Sequence, residues 1–120
     1  MLINKEDKRG SNDIIIRREK YETSQLNSII SPQETNSLII VADQLTDQNN
    51  LGNIMRTSLL LGVHGVILPE HSSASITGTT SMTSSGAVEI IKFHLSKNLS
   101  RTLEELKNKG YWIYLSLIHI

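Results

Sequence analysis

The residues able to do chemistry crowd into one stretch, Val41-Ala42-Asp43-Gln44-Leu45-Thr46-Asp47-Gln48-Asn49-Asn50-Leu51-Gly52-Asn53-Ile54-Met55-Arg56-Thr57. It carries two carboxylates (Asp43, Asp47), two adjacent amides (Asn49, Asn50), a glycine and a guanidinium. Arginine is permanently charged and offers a planar fork of donors, so Arg56 is suited to stabilise an anion or clamp a phosphate rather than to act as a base. Asp43 and Asp47 can be read as a catalytic carboxylate pair or a metal site, but turn and cap roles suit them better. The four histidines, His64, His71, His94 and His119, show no metal-ligand spacing, so no metal is expected. There is no glycine-rich phosphate loop and no cysteine nucleophile.

The elements that must position these groups follow from hydropathy. Leu38 to Val41 is an all-apolar run that reads as a buried strand. Asp43 to Asn50 is a polar loop, and Leu51 to Leu61 has helical periodicity. Leu51, Ile54, Met55 and Leu59 form the buried stripe, which leaves Arg56 on the exposed side near the start of the helix. Asn50 or Asn49 is the expected N-cap, and Gly62 the expected C-terminal stop. Arg56, Asn53 and Gly52 share a helix flank. Gly52 has no side chain, so another backbone or a ribose can approach it closely. Strand, polar loop and helix is how an open α/β sheet builds a site at the carboxyl end of a strand.

The spacing Asp-x-x-x-Asp-x-x-Asn-x-Gly-x-x-x-Arg-Thr resembles the first motif of the SpoU (TrmH-like) RNA 2′-O-ribose methyltransferases of the SPOUT class. Asp43, Asp47, Asn50, Gly52, Arg56 and Thr57 fall on that motif, and Gly62 fits the glycine after its helix. The family's usual residue after the second aspartate is proline. Here it is Gln48, a departure that removes a turn constraint but no chemical group. Gly65-Val66-Ile67-Leu68-Pro69 resembles the family's second strand, and Ser85-Gly86-Ala87-Val88-Glu89 its Ser/Cys-Gly-Ala-x-Glu segment. The resemblance spans about Leu38 to Ile113.

That resemblance implies a parallel sheet with flanking helices, the N-terminal portion of an α/β-knot domain whose C-terminal knot is missing. It implies S-adenosylmethionine as methyl donor, rRNA or tRNA as substrate, a homodimer and a cytoplasmic setting. It implies catalytic roles for Arg56, at the 2′-hydroxyl or its neighbouring phosphate, and for Asn50, which positions it. Asn53 and Gly52, with His71 and Ser72 after the second strand, are the expected RNA contacts. Asp43, Asp47, Thr57 and Glu89 are the expected support, with Glu89 orienting Arg56 or a backbone amide. The blander alternatives are a surface Arg56 paired with Asp47 or Glu89, Asn53 as an ordinary surface residue, and Glu89 as a plain strand-end residue. The donor-binding loops would lie beyond the last residue, so the chain is expected to be a fragment inactive on its own. The competing expectation is a non-catalytic α/β RNA-binding or dimerisation module.

Composition limits these readings. The 120 residues suit one small domain, and 38% are apolar. Twelve basic residues balance twelve acidic ones, so no bulk electrostatic attraction draws the chain to a polyanion. The absence of cysteine fits a reducing compartment, and no apolar run is long enough for a membrane span.

The remaining elements are weaker. Residues 1–36 read as a polar tail and linker helix, with a short β-like run at Ile14-Ile15-Ile16 and a helix over Tyr21 to Ile30, and residues 37–120 as the truncated domain. A second strand is expected at Gly65 to Leu68, a short helix around Thr77 to Ser84, a third strand at Val88 to Leu95, a helix at Asn98 to Lys109 and a fourth strand at Tyr111 to Leu115. The Thr77 to Ser85 hydroxyls read as a soluble segment in preference to a phosphate nest.

Overall fold

The computed structural model describes residues 2–4, 15–17, 24–30, 36–71 and 76–117. Strands β1 (Leu2–Asn4) and β2 (Ile15–Arg17) form an antiparallel pair. The functional half is a three-stranded parallel sheet in the order β3 (Ile39–Val41), β4 (Gly65–Pro69), β5 (Phe93–Ser96). Its register pairs Val41 with Ile67 and Leu68 with Leu95.

Strand β4 is central, and Val66, Ile67 and Leu68 are fully buried. A strand buried on both faces loses the polar alternation of a half-exposed one, which is why its sequence is a continuous apolar run. Alternation still sorts its side chains. Val66 and Leu68 join Leu51, Met55, Ala87, Val88, Ile91 and Phe93 in one core cluster. Ile67 joins Ile30 and Leu106 in a second cluster.

The first cluster lies between the sheet and helix α2 (Gln48–Leu60) with a 3-10 turn at Ala87–Glu89, and short helix α3 (Gly78–Thr83) packs on α2 and that turn. The second lies under helix α4 (Leu99–Asn108) and the single turn α1 (Leu26–Ile29). Both crossovers, β3 to β4 and β4 to β5, therefore use the same side of the sheet as the strand order advances, as handed parallel connections require. Close contact explains Gly65: a Cβ there would meet Ile29 Cγ2 at 2.5 Å.

The helix ends follow local chemistry. Gly62 takes φ +71°, and Val63 N–H returns to Ser58 C=O at 2.9 Å. Gly110 takes φ +92°, and Tyr111 N–H returns to Leu106 C=O at 3.0 Å. Both are C-terminal closures that need a left-handed residue. Sequence allows Asn98 or Ser100 to cap α4; the cap is Asn98, accepting from Arg101 N–H at 3.1 Å.

Several expectations change. The helix expected over Tyr21 to Ile30 is, among the described residues, the single turn Leu26–Ile29, with residues 24 and 25 outside it. Helix α2 starts at Gln48, before Asn50, because the cap is Asp47, whose carboxylate accepts the Asn49 N–H at 2.8 Å. The third strand is shorter and later than Val88 to Leu95. Ala87 and Val88 instead turn into the core through the 3-10 turn, after Ser85 and Gly86 both adopt positive φ. Tyr111 to Leu115 forms no strand: among the described residues it has no ladder partner, and Trp112, Tyr114 and Leu115 are exposed. Tyr111 alone is anchored, donating its hydroxyl to Ser37 Oγ at 2.8 Å.

Candidate functional site at the mouth of the first parallel strand

The candidate site begins where β3 stops pairing. Ala42 N–H still donates to Ile67 C=O at 3.0 Å, carrying the ladder one residue past the strand. Asp43 is then exposed, and Gln44 takes φ +54°, a left-handed backbone that costs a non-glycine residue about 1–2 kcal/mol. Leu45 turns back to pack against the core, pinning the loop. Asp47 then caps α2, so it is a structural group, and its oxygen is committed to a backbone amide.

The core fixes the rotation of α2. Leu51 and Met55 are fully buried, Ser58 is buried, and Ile54 and Leu59 are half-buried. The opposite side exposes Asn49, Asn53, Arg56 and Leu60. At about 100° per residue these four form one stripe. Among the described residues no carboxylate forms an ion pair with Arg56, so pairing with Asp47 does not occur. Asn50 is exposed on the first turn, with Thr57 one stripe away from Arg56. It stands six residues from Arg56, about 9 Å along the axis and about 120° around it. Asn49 therefore shares the Arg56 face more closely than Asn50 does. Glu89 is exposed at the end of the 3-10 turn that packs under α2.

Gly52 lies on the flank between that stripe and α3, and it is buried. A Cβ there would lie 2.7 Å from Thr83 Cβ and 3.0 Å from Ser84 N. Of the two approaches its bareness allows, a helix occupies the space and a ribose does not, which corrects the expected RNA contact at this residue. His71 is exposed on the loop after β4, with Nε2 4.0 Å from Glu70 Oε2. Ser72, the other expected RNA contact on this loop, lies outside the described residues. Among the described residues no group of three or more His, Asp or Glu side chains could hold a metal.

One participant escaped sequence reasoning. Gln48 stands at the position of the motif's usual proline, and its side chain is committed. Its Oε1 accepts from Thr77 Oγ1 at 2.9 Å and from Thr80 Oγ1 at 2.6 Å. The backbone C=O of Gln48 accepts from Thr83 Oγ1 at 3.4 Å. The replacement thus removes no chemical group, as expected, and adds a hydrogen-bond acceptor that the sequence reading did not assign. The available signal was the three-residue spacing of Thr77, Thr80 and Thr83 within a Ser/Thr-rich segment.

The profile of the SpoU rRNA Methylase family matches residues 37–118. The chain belongs to this family. A putative TrmH family tRNA/rRNA methyltransferase of Bacillus subtilis, YacO, is 36% identical over 96 residues, covering 78% of this chain and 39% of that protein. An uncharacterized tRNA/rRNA methyltransferase of Synechocystis is 39% identical over 94 residues, covering 78% of this chain and 24% of that protein. The crystal structure of the SpoU methyltransferase AviRb from Streptomyces viridochromogenes, in complex with AdoMet, superposes with a TM-score of 0.63 at 20% identity. The match covers 73% of this chain and 32% of AviRb. This likeness establishes the shared SpoU fold, including the parallel sheet and its flanking helices. The SpoU chain described here thus spans about two fifths or less of the curated relatives it matches.

Proposed function

We propose that this chain supplies the substrate-facing half of a SpoU-type RNA (ribose-2′-O)-methyltransferase acting on rRNA or tRNA. The observation that carries the reading is Arg56. It is exposed, it has no carboxylate partner among the described residues, and it shares a rigid helix stripe with Asn49 and Asn53 beside the carboxyl end of β3. A permanent cation with adjacent amides on one helix face suits the phosphate and sugar edge of an RNA strand.

In this reading Arg56 grips the phosphate next to the target ribose and stabilises charge that develops on the 2′-oxygen. Asn50, from the first turn, orients the hydroxyl, and Asn53 and His71 extend the contact along the strand. The proton of the hydroxyl passes to solvent or to a base other than Arg56, because a guanidinium does not give up its own proton at neutral pH.

S-adenosylmethionine, the ligand named for AviRb, is the proposed donor and supplies an electrophilic methyl group when bound. Among the described residues no buried side-chain polar atom lacks a partner, and at the sheet's carboxyl edge the buried Ser96 and Thr102 hydroxyls bond each other at 2.7 Å while Thr102 donates to Asn98 C=O at 3.1 Å. The donor's cradle is proposed to lie outside these residues. The complete enzyme is proposed to act as a cytoplasmic homodimer, and this chain alone is proposed to be inactive.

The test is methyl transfer from radiolabelled S-adenosylmethionine to total bacterial RNA by the complete protein that contains these residues. The expected product is a nuclease-resistant 2′-O-methylated dinucleotide. Absence of incorporation into any RNA defeats the reading. RNA retention without methyl transfer supports the non-catalytic module instead. Calorimetry of the 120-residue chain with S-adenosylmethionine is expected to show no heat of binding.

A further inference from the structure

Helices α2 and α3 meet through a polar seam. Thr77, Thr80 and Thr83 recur at three-residue spacing on α3 and its N-cap; the Thr77 and Thr80 hydroxyls donate to the Gln48 side chain, whereas the Thr83 hydroxyl is nearest Thr79 C=O at 3.0 Å, with the Gln48 C=O at 3.4 Å. Thr80 is fully buried, and its Oγ1 also accepts the Thr77 N–H at 3.1 Å. Gln48 Oε1 is therefore the end acceptor of a connected chain that begins at the first turn of α3. One turn further along, bare Gly52 receives Thr83. The two helices thus run side by side, with Gln48 opposite Thr77 and Thr80, and Gly52 opposite Thr83 and Ser84.

The two helices are held very differently. Helix α2 is anchored to the sheet by Leu51 and Met55, both fully buried. Helix α3 spans Gly78–Thr83, too short to be stable in isolation, and none of its residues belongs to the apolar core cluster. Its only large apolar side chain, Met82, is exposed. Hydroxyl chemistry therefore has to do for α3 what leucines do for α2. Helix α3 exposes Thr79 and Met82, and it meets α2 at Gly52, one turn before Arg56.

We propose that Gln48 is a positioning residue: by accepting the Thr77 and Thr80 hydroxyls it holds α3 against α2, so that α3 forms one wall of the RNA-facing surface. The role rests on the methyltransferase reading above. It does not follow from the motif, whose usual proline has no side-chain acceptor. Because α2 keeps its own core anchor, loss of the tether displaces the wall and leaves Arg56 in place. The signature is weaker RNA capture with an unchanged chemical step.

Two variants separate the chemistry from the packing. Gln48→Met keeps length and volume and removes the acceptor; Gln48→Glu keeps an acceptor oxygen. In the 120-residue chain, hydrogen exchange read by NMR should show the amides of residues 80–86 exchanging about tenfold faster in Gln48→Met, with β4 and α4 unchanged. Gln48→Glu should retain near wild-type protection. In the complete protein, Gln48→Met should raise KM for RNA about tenfold with kcat within twofold, and Gln48→Glu should restore KM. Unchanged exchange in Gln48→Met overturns the tether. Faster exchange with unchanged KM overturns the positioning role and leaves Gln48 as packing alone. A wild-type enzyme that methylates no RNA defeats the methyltransferase reading and takes the positioning role with it, while the exchange arm still shows whether the tether exists.

Discussion

Gly52→Ala is the sharpest probe of how the site is assembled. In an exposed helix the change would stabilise by about 1 kcal/mol through helix propensity. Here the new Cβ would lie 2.7 Å from Thr83 Cβ, against the 3.4–4 Å of ordinary contact. The helices must part by roughly 1 Å to relieve it. That movement stretches the Gln48 Oε1 bonds, now 2.9 and 2.6 Å, to the limit of hydrogen bonding or past it. Two neutral bonds at about 1 kcal/mol each, with overpacking strain of about 1–3 kcal/mol, oppose the propensity gain. The net expectation is destabilisation of about 2–4 kcal/mol. Urea unfolding followed by far-UV circular dichroism measures it; the fluorescence of Trp112 is a poor reporter because that residue is 85% exposed. Thr83→Ala in the same chain removes the nearest obstructing oxygen and should recover about half of the loss. A Gly52→Ala chain as stable as wild type, or more stable, refutes the close α2–α3 contact and with it the account of the seam.

Other outcomes follow from single contacts. Asp47→Ala should cost about 1 kcal/mol in urea unfolding, and Asn50→Ala less than about 0.5 kcal/mol; the reverse order would return the cap to Asn50. Leu106→Ala, which empties a buried position under the sheet, should cost about 2–5 kcal/mol in the same assay. Trp112→Ala and Leu115→Ala should each change stability by less than about 0.5 kcal/mol, since both side chains are exposed, and a larger loss would reveal packing of this segment. Arg56→Ala should leave the unfolding midpoint in place while methyl transfer by the complete protein falls about a hundredfold or more; equal losses of both would mark Arg56 as a structural residue.

The sequence alone determined the elements whose periodicity or end chemistry is local. Helix α4 shows its apolar face at Leu99, Leu103 and Leu106 and its stop at Gly110, and its sequence narrows the cap to Asn98 or Ser100. The buried face of α2 and the exposure of Arg56 were legible for the same reason, since a 3.6-residue pattern reports burial directly; the apolar run Leu38 to Val41, read as a buried strand, is instead a half-buried end strand with Leu38 51% exposed. Family membership was legible because the motif residues stand at their proper spacing.

Tertiary contacts decided the rest. Val88 to Leu95 contains enough apolar residues to read as a strand, but a residue string cannot say that Ala87 and Val88 are buried under α2. The segment after Tyr111 has strand propensity, yet a strand exists only where a neighbour accepts its ladder. The choice of Asp47 over Asn50 as cap, and hence the 120° between Asn50 and Arg56, depended on where the loop re-enters the helix. Gly52 could have faced a ligand or another helix, and only the arrival of Thr83 settled which. Gln48 stands where the motif usually has proline, and its side chain accepts two hydroxyl donors from residues about 30 positions away. Such a bond depends on the three-dimensional proximity of segments whose local patterns carry no record of each other.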